Sequence, residues 1–144
     1  MCSSDLLTVA SDDAYFATAY KAIGLTPDGG QSYFLPRLVG MKKAMELTLL
    51  SERIKALEAE RLGFVNKVVP LADLDVVVDK IAQQIAGSAR GSMAGAKRLI
   101  STSLSATMCE QLNAEADSFS SCAAKDDFAD GFRSFIEKRP AKFS

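Results

Sequence analysis

Ile23-Gly24-Leu25-Thr26-Pro27-Asp28-Gly29-Gly30, running on into Gln31-Ser32-Tyr33-Phe34-Leu35-Pro36-Arg37-Leu38-Val39-Gly40, sets the frame for the residues on either side. Three glycines and a proline within its first eight residues mark a backbone that turns sharply and packs closely. The run Ser32 to Leu38 is apolar enough to open a buried helix. One carboxylate, Asp28, stands between the turn and that helix. It meets two opposed influences there, the positive end of the helix and the apolar neighbours Leu25, Phe34 and Leu35. Two roles fit such a group. An aspartate before glycine at a helix start is commonly an N-cap, and a lone acid in apolar surroundings is a candidate for proton transfer.

The spacing of the segments around this turn carries a resemblance. Ala14-Tyr15-Phe16, then Gly24-Leu25-Thr26-Pro27-Asp28-Gly29-Gly30, then Leu35-Pro36-Arg37-Leu38-Val39-Gly40 resemble the enoyl-CoA hydratase/isomerase (crotonase) superfamily. The likeness continues through Ala44-Met45-Glu46-Leu47 and Ala59-Glu60-Arg61-Leu62-Gly63-Phe64-Val65-Asn66-Lys67-Val68-Val69-Pro70. It closes with Phe135-Ile136-Glu137-Lys138-Arg139 and the later Pro140 and Phe143, so it covers nearly everything from about Leu7 onward. The fold class it implies is α/β and helix-rich, the C-terminal part of a crotonase spiral. Residues 1–70 would be a core remnant holding the Gly-Pro-Asp turn, and 71–144 a helical region for trimerisation and CoA contact. The strand-strand-helix units of the spiral would lie upstream of this sequence.

Composition sets outer limits. The 144 residues are one domain's worth, and 48% hydrophobic with 24% charged is ordinary for a globular protein. A net charge of −1 suggests neither nucleic acid nor an anionic membrane as partner. No apolar run approaches the ~20 residues of a membrane span, and the start lacks the pattern of a signal peptide. The three cysteines, Cys2, Cys109 and Cys122, have no metal-ligand spacing, and an odd count argues against a disulfide scaffold. A reducing cytoplasm is the expected setting. Because histidine is absent, no Ser-His-Asp or Cys-His site can form within this sequence, and acid-base chemistry falls to carboxylates, Lys, Tyr or Cys.

Taken in order, Leu6 to Ala10 reads as a short buried strand and Ala14 to Phe16 as a second. Met1 to Asp5 fits the pattern poorly and reads as a replaced or misread start. Lys42 to Leu50 and Lys55 to Leu62 read as helices, the latter stopped by Gly63, with Ser51 to Ile54 a connector. Phe64 to Val69 reads as a strand ending at Pro70. One-faced apolar stripes then predict helices over 71–86, 92–104, 107–124 and 126–137, the last with Phe128, Phe132 and Phe135 on one side. On the second of these, Met93, Ala96, Leu99 and Ile100 are expected to face inward. Each stripe is a core or interface face first.

The resemblance implies chemistry on acyl-CoA thioesters, with coenzyme A entering as part of the substrate and no cofactor or metal otherwise. Two backbone N–H groups would stabilise an enolate, and they belong to segments upstream of this sequence. Hydratase members use two glutamates. The second aligns with Tyr20, and a phenol with pKa near ~10 is a poor substitute for a carboxylate. Asp28 instead matches the acid of the isomerase branch and of the aryl-CoA dehalogenases, where it would be a nucleophile. The run from Gln31 to Pro36 is more similar to the isomerases, including the ring-epoxide isomerases of phenylacetyl-CoA degradation. On that reading Asp28 shuttles one proton between two carbons, while Leu25, Pro27, Gly29, Gly30 and Phe34, with Tyr33, line the substrate site. Phe135 and Lys138 match positions that contact the adenosine and phosphate of CoA. A homotrimer or dimer of trimers in fatty acid metabolism is the implied setting. The other reading is a hydratase homologue reduced to a non-catalytic remnant or an assembly module.

Overall fold

The computed structural model describes residues 7–143. It divides into two compact units, Met1–Asp79 and Lys80–Ser144, taken here one at a time. In the first, strand β1 (Val9–Ser11) runs parallel to β4 (Lys67–Val69), and β2 (Tyr15–Phe16) pairs antiparallel with β3 (Ile54–Lys55). Helices α1 (Gln31–Val39), α2 (Met41–Leu50) and α3 (Ala56–Arg61) fill the interval between β2 and β4. A short 3-10 turn, Tyr20–Ile23, precedes the glycine-rich turn.

The first strand starts at Val9, not Leu6, which lies with Met1 to Asp5 outside the described residues. The strand expected over 64–69 is shorter for a local reason. Gly63 adopts the left-handed conformation at φ +85°, and the next two amides, of Phe64 and Val65, both bond back to Ala59 O. Those residues therefore close α3, and pairing begins at Lys67. Their side chains are still buried, with Ala10, Ala56 and Ala59, in one small core. A second core joins Leu35, Ala44 and Leu47 of α1 and α2. Val39, Ile54 and Leu62 pack against both. Ile54 does so from a strand where a connector was expected, since a two-residue strand has no periodicity to read.

The next helix begins with a 3-10 turn at Leu71–Asp73 and continues as α4 (Leu74–Ala86). The second unit holds α5 (Arg90–Ser103), α6 (Met108–Ala123) and α7 (Asp126–Glu137). Thr107 starts α6 with a capping box: its Oγ1 accepts from Glu110 N at 3.3 Å, while its own N–H donates to the Glu110 carboxylate at 2.8 Å. The inward face expected for α5 is largely exposed, and so are the stripes of α6 and α7. Met93, Ile100, Leu112, Phe119, Phe128, Phe132 and Phe135 are exposed, Ala96 likewise, and Leu99 is half-buried. The residues that are buried are small: Gly95, Ser118 and Ser134. Helices α5 and α6 approach through Gly95, where an added Cβ would stand 2.8 Å from Ser118 Oγ. Close backbone approach through small residues leaves the larger side chains on the outside.

Candidate active site around Asp28

The site is built by the glycine turn. Tyr20–Ile23 winds as a 3-10 turn that Gly24 ends in the left-handed region at φ +70°, and Leu25 N–H donates to Tyr20 O at 3.1 Å. This brings the chain back so that Asp28 lies beside Tyr20. At Gly30 the backbone again turns left-handed, φ +83°, and its carbonyl accepts from the amides of Tyr33 and Phe34. Asp28 contributes only its main-chain carbonyl to the helix start, accepting from Gln31 N–H at 3.0 Å. Gly30 is the N-cap and no side chain caps α1. The N-cap role for the Asp28 carboxylate is thereby removed.

That carboxylate is engaged elsewhere. The Tyr20 hydroxyl donates to Asp28 Oδ1 at 2.6 Å. This hydrogen bond, with lesser help from burial and from the Asp28 charge, holds the Tyr20 phenol above its ordinary pKa. At neutral pH Tyr20 is a protonated donor, and Asp28 Oδ2 remains to meet another group.

Asp28 itself is exposed, not enclosed by Leu25, Phe34 and Leu35. The same unit holds a cavity of about 130 Å³ between β2, β3, α1 and α2, whose lining includes neither Tyr20 nor Asp28. Phe34 lines it, together with Phe16, Leu38, Leu47 and Phe64. Of the expected substrate-lining residues, Phe34 alone is on this wall. Leu25 is 61% exposed, and Pro27, Gly29 and Gly30 form the turn itself. Tyr33 packs edge-on against Phe34 with ring centres 5.2 Å apart, and the Arg37 guanidinium sits 3.6 Å from the Tyr33 ring centre.

Three polar residues on the cavity wall escaped the sequence reading: Thr18, Gln31 and Glu52. Thr18 is committed, donating to Leu47 O at 2.6 Å, and Gln31 Nε2 donates to Thr48 Oγ1 at 3.3 Å. Glu52 is the acidic member of the lining. It sits in the connector between α2 and β3, and only the pairing of Ile54 with Phe16 carries it to the cavity. No local pattern signals that.

In the second unit, Phe135 and Lys138 stand together at the end of α7. Lys138 is its C-cap, left-handed at φ +54°, with its N–H toward Phe135 O at 3.4 Å. Phe135 is 80% exposed and the Lys138 side chain is also at the surface. An aromatic face and a cation are thus presented side by side along the chain.

Among the described residues no helix is long and apolar enough to cross a membrane, and no cluster of three or more His, Cys, Asp or Glu side chains is placed to hold a metal. The sequence matches the family described as enoyl-CoA hydratase/isomerase over residues 2–144. The chain belongs to that family. Among relatives of this hydratase/isomerase chain, a short-chain-enoyl-CoA hydratase of Clostridium acetobutylicum is 35% identical over 92% of the chain and 51% of its own length. A crotonyl-CoA hydratase of Syntrophomonas wolfei is 35% identical over 94% of the chain and 52% of its own. The crystal structure of an enoyl-CoA hydratase from Polaromonas superposes with a TM-score of 0.91 at 33% identity, covering 96% of this chain and 54% of that one. The fold is therefore of crotonase type, helix-rich with few short strands. The chain spans about half the length of the curated relatives it matches. These relatives carry hydratase names, so membership of the isomerase branch does not follow from them.

Proposed function

We propose that this hydratase/isomerase chain carries the proton-transfer half of an acyl-CoA site, in which Asp28 moves a proton between two carbons of an enoyl thioester and so shifts its double bond. One observation carries the reading: the hydroxyl of Tyr20, which the resemblance matches to the second hydratase glutamate, is spent on Asp28 Oδ1 at 2.6 Å. A phenol fixed in this way cannot activate water as a second carboxylate would. A single carboxylate suffices for isomerisation because the proton it accepts is the one it returns. Asp28 is exposed, so bound substrate together with Phe34 would have to shield that proton from solvent. Phe135 and Lys138 are the proposed contacts for the adenosine and phosphate of CoA.

A second reading, a hydratase homologue that acts here as a remnant or assembly module, draws on the hydratase names of relatives of whose length the chain covers 46–55%. Incubating the purified chain with a 3-enoyl-CoA and following 2-enoyl and 3-hydroxyacyl products separates the two. The isomerase reading expects 2-enoyl-CoA to form without hydration, and Asp28→Asn to lower that rate by about 10²–10⁴-fold while acyl-CoA binding persists. A full rate in Asp28→Asn, or 3-hydroxyacyl-CoA as the main product, sinks it. Binding with no turnover supports the remnant.

A further inference from the structure

The unit Lys80–Ser144 contains its own cavity, of about 330 Å³, which the proton-transfer site does not use. Its walls include Phe128, Phe132 and Gly131 of α7, Gly91 at the start of α5, and Cys122 in the last turn of α6. The remaining side is supplied by Phe143, which comes after α7 has ended. A segment outside the helices, through the partly exposed Phe143, therefore completes the wall.

Asp130 fixes the path of that segment. Its Oδ1 accepts from Arg139 Nη2 at 2.7 Å, and its Oδ2 from the Lys142 main-chain N–H at 2.8 Å and from the Ser134 hydroxyl at 3.3 Å. The Arg139 guanidinium also donates through Nε to Glu137 at 2.7 Å and through Nη1 to Pro140 O at 3.1 Å. One carboxylate thus ties down both ends of the stretch from Arg139 to Lys142, through charge-assisted bonds. Gly131 makes the seating possible, because the Phe143 ring lies 3.4 Å from where a Cβ on that residue would stand.

We infer that Arg139–Phe143 is a strap, fastened to α7 by Asp130, whose Phe143 closes one side of this cavity and limits access to Cys122 from that side, the other approach being between α5 and α6. Both anchors share one carboxylate, so losing it releases the Lys142 amide and leaves the guanidinium only its local partners Glu137 and Pro140. Opening is then a local event of the strap, with α5, α6 and α7 remaining folded.

Cys109 supplies an internal control, because it is exposed near the start of the same helix, whereas Cys122 is half-buried. The full chain is labelled with N-ethylmaleimide and the modification of each cysteine is followed by peptide mass spectrometry. In Asp130→Asn the rate at Cys122 relative to Cys109 is expected to rise roughly tenfold, the size of effect that losing charge-assisted bonds gives a local opening. Phe143→Ala leaves every Asp130 bond in place and removes only the wall, and is expected to raise the same ratio several-fold. An unchanged ratio in Phe143→Ala protein with wild-type helical circular dichroism overturns the strap. So does an equal rise at Cys109 and Cys122, which would report general loosening.

Discussion

At the scale of single residues, two positions in the glycine turn have separate tasks. Gly30 holds the conformation: a side chain there is strained at φ +83°, and its Cβ would meet the Phe34 ring at 3.0 Å. Gly30→Ala is expected to cost about 1–2 kcal/mol from the left-handed backbone alone, before any displacement of Phe34. Thermal or urea unfolding followed by circular dichroism measures it, and an unchanged midpoint would contradict the turn described here. The Tyr20–Asp28 contact makes a prediction that needs no catalytic assay. Asp28 is the main cause of the raised Tyr20 phenol, so Asp28→Asn should return that phenol toward its ordinary 10.0. Titration followed by NMR of ring-labelled tyrosine resolves Tyr20 from Tyr15 and Tyr33. Should Tyr20 titrate identically in both proteins, the hydrogen bond does not form in solution.

At the scale of elements, α7 and the residues after it depend on charge. The Arg139 guanidinium beside Asp130, with the Lys142 amide next, holds the Asp130 carboxyl at about 2, below its ordinary 3.8. A carboxyl depressed on folding contributes stability that is fully present above its unfolded value and is lost as pH falls through the folded one. The Arg139–Asp130 tie should therefore hold at neutral pH and weaken between about pH 4 and about pH 2. Hydrogen exchange at the Lys142 amide, corrected for intrinsic rate, should lose protection across that window, and Asp130→Asn should show the low-pH behaviour at pH 7. The packing of α5 on α6 makes a different prediction. Gly95→Ala gains helix propensity of up to ~1 kcal/mol but drives a methyl into Ser118 Oγ. Alone it should destabilise. Combined with Ser118→Ala, which removes that oxygen, it should stabilise, and a double-mutant cycle by chemical denaturation reads the sign reversal.

At the scale of the whole molecule, a near-neutral chain exposes large apolar side chains on several helices. A net charge close to zero gives little electrostatic resistance to self-association. The homotrimer or dimer of trimers that the resemblance implies predicts three or six times the chain mass in light scattering on the purified chain. A monodisperse monomer would remove it. The helical stripes over α5, α6 and α7 were legible as amphipathic patterns, and the helices stand where the patterns put them. Which face each one buries was not legible. Periodicity ranks faces by hydrophobicity, whereas α5 and α6 meet where Gly95 and Ser118 let backbones come close.

Sequence by itself determined the family, the order of helices and the glycine-rich turn, because each of these is written in spacing along the chain. Left-handed glycines at 24, 29, 30, 40 and 63 fall where the turns and helix stops were read. Asp28 was picked out the same way, but its task was left between N-cap and proton transfer. Only the tertiary structure removed the N-cap, since Gly30 closes the helix start with its own carbonyl and Tyr20 donates to the carboxylate from eight residues back; proton transfer is the proposed task. The cavity in the same unit was likewise hidden: Glu52 and Phe16 reach one wall through a strand pair joining residues nearly forty apart. Local pattern fixes what a residue can do, and the contacts across the fold fix which of those things it does.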